Sequence, residues 1–166
     1  MKKLLPVVLL ALLGLPLPAF AYAISGVGLG GHEIDVKKAF PSAYCKPLEW
    51  KSDAADRRCD DAQISLGGVL TRITVYLTAD VIQAFDLRAD IKDLDRVRKS
   101  LQGRWGAPLA ETTETVSRKD KPDRKIFKMR WEKGDTRAIL TAQLEQKRIS
   151  VEVSRGSFPI EIYRIR

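Results

Sequence analysis

The chain has 166 residues, with 29 basic against 21 acidic side chains, a net charge of +8, and 45% hydrophobic content. That length is enough for one ordinary domain with its own core. A single histidine, His32, and two cysteines, Cys45 and Cys59, leave too few ligands for a zinc site and argue against His-based nucleophilic triads.

The first twenty-one residues have the layout of a secretory signal peptide. Lys2 and Lys3 precede an apolar stretch from Leu4 to Leu17, which closes on the small-x-small site Ala19-Phe20-Ala21. Pro6, Gly14 and Pro16 interrupt the stretch, and it is shorter than the roughly 20 residues of a membrane-spanning helix. No cysteine stands at the cleavage point, so a lipid anchor is not expected. Residues 22–166 are therefore expected to form a single α+β domain, exported to the periplasm of a Gram-negative bacterium, with no transmembrane segment after cleavage. The chain contains no asparagine and hence no glycosylation sequon, which fits a bacterial source.

In an oxidising compartment an even pair of cysteines reads as one disulfide, Cys45 to Cys59. Closing a loop of about 15 residues stabilises a fold by about 3 kcal/mol in the chain-entropy model. The C-x-x-C spacing of a redox pair is absent.

In chain order, Tyr22 to Gly31 is glycine-rich and predicted to be loop-like. Gly26, Gly28 and Gly31 match G-x-G-x-x-G, yet a dinucleotide site needs a strand ahead of the glycines and a parallel βαβ unit around them, so a flexible terminus is the expectation. Glu33 to Phe40 is helix-compatible, and Pro41 stops it. Residues 41–62 read as a polar loop excursion tied down by the disulfide. Leu70 to Thr78 alternates, with Ile73, Val75 and Leu77 on one face and Arg72, Thr74 and Tyr76 on the other. Ala79-Asp80 is a turn, and Val81 to Arg88 the returning strand. Asp90 is placed to cap a helix whose stripe is Ile91, Leu94, Val97, Leu101 and Trp105, ending at Gly106 before Pro108. Ser117 to Arg124 reads as a charged flexible loop. Lys125 to Trp131, Arg137 to Leu144 and the alternating Ile149, Val151 and Val153 are strands, the first two joined by a turn at Lys133-Gly134-Asp135. Ile160 to Ile165 is a candidate closing strand. The expected fold class is α+β: an antiparallel meander sheet with about two helices packed on one face and one disulfide.

Charge is uneven along the chain. Residues 22–90 carry 8 basic and 10 acidic side chains, residues 91–166 carry 19 and 11. The excess points to an anionic counterpart, and export argues against nucleic acid. Lys128, Arg130, Arg137, Arg148 and Arg155 are the candidate binding residues, because basic side chains alternate there with a buried apolar face. No catalytic residue, metal ligand or cofactor site is assigned. His32 reads as a surface or capping residue, and Asp53, Asp56, Asp60 and Asp61 as a solvated loop whose spacing does not match a calcium-binding EF-hand.

The Cys pair around Asp-Arg-Arg-Cys, the hairpin led by Gly67-Gly68, and the helix ending Leu101-x-x-x-Trp105-Gly106-x-Pro108 resemble small exported bacterial proteins of unassigned function. The helix-then-meander order is similar to the small α+β accessory modules of outer-membrane assembly. Export, the stapled domain and the basic sheet face together suggest a non-enzymatic periplasmic binding or envelope-accessory protein whose basic sheet surface meets an envelope protein or an anionic envelope component. The alternatives are an exported hydrolase using the loop carboxylates and a peripheral binder of anionic membrane.

Overall fold

A computed structural model describes residues 21–119 and 121–164. The leader expected over residues 1–21 lies, apart from Ala21, outside the described residues. After the N-terminal loop come α1 (Glu33–Ala39), β1 (Tyr44–Pro47), β2 (Arg57–Leu66), β3 (Val69–Thr78) and β4 (Val81–Asp90). A 3-10 turn over Ile91–Asp93 leads into α2 (Leu94–Trp105), then β5 (Ala110–Arg118), β6 (Lys121–Lys133), β7 (Thr136–Gln143), β8 (Arg148–Arg155) and α3 (Phe158–Glu161).

The strands form one antiparallel sheet in the order β1-β2-β3-β4-β8-β7-β6-β5. Each half of the chain supplies a helix followed by a four-stranded meander, and the halves join where β4 pairs with β8. Among the described residues strand outweighs helix, 52% to 18%, so the fold is sheet-dominated.

Alternation along each strand sorts side chains between two faces. Ile73, Val75, Phe85, Leu87, Val151, Val153, Leu140 and Met129 point to one side, where Val36 and Phe40 of α1 and Val97 and Leu101 of α2 join them in the main core. The opposite face carries Arg72, Thr74, Asp86, Arg88, Glu152, Lys128 and Arg130. α3 and the segment 48–55 cover one end of it: Phe158 packs on Tyr76 with ring centroids 5.5 Å apart, and the Trp50 indole donates to the Ile162 carbonyl at 2.7 Å.

Several expectations are corrected. The excursion over 41–62 holds β1 and the first part of β2; Cys45 and Cys59 are direct cross-strand partners there, and their disulfide is formed. The segment 117–124 is the tip of the β5–β6 hairpin, which keeps its register down to Arg118 opposite Lys121. Ile160 begins no strand. Residues 158–161 are helical because Phe158 and Ile162 stand four residues apart and both bury against the outer face, so α3 lies on the side opposite α1 and α2. The glycine-rich start is tucked in: Ile24, Val27 and Leu29 are buried, and Gly30 and Gly31 exchange backbone hydrogen bonds with Ile82.

Gly67 and Gly68 form the β2–β3 turn with φ of +60° and +79°, the doubly left-handed geometry of a tight hairpin. A Cβ on Gly67 would stand 2.4 Å from Ser100 Oγ and 2.5 Å from Ser100 Cβ on α2. Gly67→Ala is therefore expected to destabilise by more than about 1 kcal/mol, combining a left-handed φ that is strained for alanine with a clash. Gly68→Ala meets open space and should cost less; equal urea midpoints for the two variants would contradict this reading.

Candidate functional site

The uncovered part of the outer face is built by register. Across the sheet, Asp60, Thr74, Asp86, Glu152, Ile139 and Arg130 form one row. The next row runs Arg72, Arg88, Ser150, Thr141 and Lys128. A third begins at Asp90 and Arg148. Two adjoining depressions of about 380 and 580 Å³ lie on this face, both bordered by Arg72 and Arg88.

Four of the five cations expected to bind, Lys128, Arg130, Arg137 and Arg148, project onto this face. Lys128 is held by Glu114 at 3.0 Å and Arg130 lies 3.5 Å from Glu132. Arg137 donates to the Gly156 carbonyl at 3.4 Å. Arg148 donates to the neutral amides of Gln143 and Gln146. Arg155 belongs with Val153 on the helix-covered side, where its guanidinium donates to the Leu29 carbonyl and lies over Gly30. It fastens the N-terminal loop.

Two arginines were missed. Arg72 and Arg88 stand directly opposite each other on β3 and β4, a like-charge pair on one face. Arg88 is offset by Asp86, which accepts from its Nη2 at 2.8 Å and holds its pKa up. The side chain of Arg72 makes no hydrogen bond or ion pair with any described residue. The charge count along the chain hid this pair, because both lie in the half whose net charge is negative. Folding sets them one row from Arg148 of the other half.

Asp86 and Glu152 are cross-strand partners in the acidic row. Burial raises the Glu152 pKa most, the Ser154 hydroxyl donating at 3.2 Å lowers it, and the Asp86 charge raises it further. A carboxyl whose pKa is higher in the folded than the unfolded protein stabilises fully below the unfolded value, and this contribution is lost as pH rises through the folded value. The wild-type melting temperature is thus expected to fall over that interval, while Glu152→Gln stays flat there and is the more stable above it. Parallel profiles for the two proteins would refute the assignment.

His32 sits at the start of α1, its backbone N–H donating to Asp35 and its ring 3.3 Å from Asp80. The loop carboxylates hold local structure: Asp56 accepts from the Ala79 N–H, Asp60 from the Thr74 hydroxyl, and Asp61 from the Ser42 hydroxyl and the Gln63 N–H. Cys45, Cys59 and Glu33 place potential ligand atoms within 4.8 Å of one another, but the sulfurs are joined to each other.

Fold and site define an antiparallel sheet with one face buried under helices and the other a charged, largely open platform. No protein-family model, curated protein or solved structure matches the chain. No helix among the described residues is long and apolar enough to cross a membrane.

Proposed function

We propose that this chain is a non-enzymatic periplasmic binding or envelope-accessory protein that docks an anionic partner on the open face of its sheet. One observation carries the reading: register brings cations from both halves of the chain onto the part of a face that the helices leave uncovered, and neither Arg72 nor Arg148 makes an ion pair there with a carboxylate among the described residues. Exposed charges of this kind act mainly through long-range attraction, which speeds encounter and is screened by salt.

The test is equilibrium binding to vesicles containing anionic lipid and to a purified acidic polymer, in rising salt. Affinity is expected to fall by about tenfold or more from low to physiological ionic strength. It should also fall when Arg137 and Arg148 are replaced by Gln. Binding that ignores salt, or no binding to either probe at low salt, contradicts the proposal.

A further inference from the structure

Within that open face, we infer that Arg72, Arg88 and Arg148 form a receptor for a phosphoryl group, the dianionic end of a phosphomonoester. The inference rests on the reading of the face as anion-binding and names the place and the chemistry.

The three guanidiniums come from β3, β4 and β8, consecutive strands in the sheet, and border the same depression of about 580 Å³ with Gln63, Leu70 and Asp90. A like-charge pair placed directly opposite on one sheet face repels unless something lies between. Asp90, which accepts from the Lys92 N–H at 3.0 Å, borders the same depression directly opposite Arg148 and counts against that cation rather than Arg72. Asp86 offsets Arg88 alone. Three guanidiniums set against Asp86 and Asp90 leave one net positive charge on this patch, and Arg72 makes no ion pair with any described residue. Guanidinium forks match oxyanions with paired N–H donors. A carboxylate brings one negative charge, whereas a phosphomonoester brings about −1.5 to −2 at neutral pH and three acceptor oxygens. The phosphoryl group, with three acceptor oxygens, fits the three strands that supply donors, where a carboxylate has only two oxygens to offer.

The experiment is calorimetric titration of the full chain with inorganic phosphate and, separately, acetate, at matched ionic strength. Saturable phosphate binding is expected, with acetate much weaker. Arg72→Gln and Arg148→Gln should each weaken phosphate by about tenfold or more. Arg104→Gln on α2, on the other side of the sheet, should leave it unchanged. Thermal melts keep the comparison honest: removing one charge of the repelling pair should leave Arg72→Gln at least as stable as wild type.

Phosphate that fails to saturate, acetate that binds as tightly, or equal loss in Arg104→Gln overturns the inference. If salt-dependent polymer binding survives those results, the wider reading of the face stands and only the receptor is wrong; if polymer binding is absent too, both fail. Vesicles bearing phosphatidic acid that compete with phosphate support a lipid headgroup as the source. Saturable phosphate without vesicle binding supports a soluble phosphoryl compound.

Discussion

Trp131→Ala is expected to lower the free energy of unfolding by about 3–5 kcal/mol, the range for removing a fully packed aromatic side chain. Trp131 is 2% exposed on β6 and meets Trp105 of α2 edge-to-face, with ring centroids 5.4 Å apart. Trp105 in turn meets Tyr22 at 5.3 Å, so three aromatic rings tie the second meander, the central helix and the N-terminal loop together. The Trp131 indole N–H also donates to the Gly106 carbonyl at 2.9 Å, satisfying the end of α2. Truncation leaves a cavity and removes that donor at once. Trp131→Phe keeps most of the packing and loses the hydrogen bond, so its cost should be intermediate. Urea denaturation measures both. A loss below about 1 kcal/mol for the alanine variant would mean that the contact between α2 and β6 does not fasten the helix to the sheet.

Opening the disulfide is the second large effect. Cys45–Cys59 fastens β1, only four residues long and at the edge of the sheet, to β2. The segment it closes carries Trp50, which stacks on Tyr163 at 6.2 Å and bonds the Ile162 carbonyl, so the bridge also steadies the cover formed by α3. The double variant Cys45→Ala/Cys59→Ala is expected to lose about 3 kcal/mol. For a domain of this size that lowers the melting temperature by roughly 6–12 °C. Calorimetry on the oxidised protein and the double variant gives the comparison. Coincident transitions would show that β1 and the loop are held without the bridge.

What could be read from the residues follows from burial. α2 announced itself through a stripe at helical spacing and a Gly–Pro stop, and β3, β7 and β8 through alternation against a single core. β5 did not, because Ala110-Glu-Thr-Thr-Glu-Thr-Val-Ser-Arg118 is an exposed edge strand with no apolar face. The last residues alternate like a strand, yet Ser157-Phe158-Pro159 starts a helical turn, and the four-residue spacing of Phe158 and Ile162 decides which pattern is used.

The site was less legible still. A regular β3–β4 hairpin continued from the pairs Thr78–Val81 and Leu77–Ile82 would set Arg72 opposite Leu87. An irregularity between Tyr76 and Leu77 shifts the register by one and brings Arg88 there instead. Its trace in the sequence is the step from Ile82 to Phe85 as successive residues buried on the helix-covered face, with Gln83 left over and Ala84 buried on the other face. The pairing of β4 with β8, which carries Arg148 to the same place, joins residues about 60 apart in the chain, and no local pattern encodes it. Arg155, by contrast, shares its parity with Val151 and Val153, so its place on the covered face was readable from alternation alone.

The central claim is that the open sheet face, rather than any other basic region, receives an anion. The competing region is the tip of the β5–β6 hairpin, where Lys121, Arg124 and Lys125 extend past the first β6–β7 pair at Ile126. Residue-resolved chemical-shift mapping with a short polyphosphate separates them. Perturbations should centre on residues 72, 88 and 148 and spread along the outward side of β7 and β6; a footprint confined to residues 119–125, or lying over α1 and α2, would contradict the account.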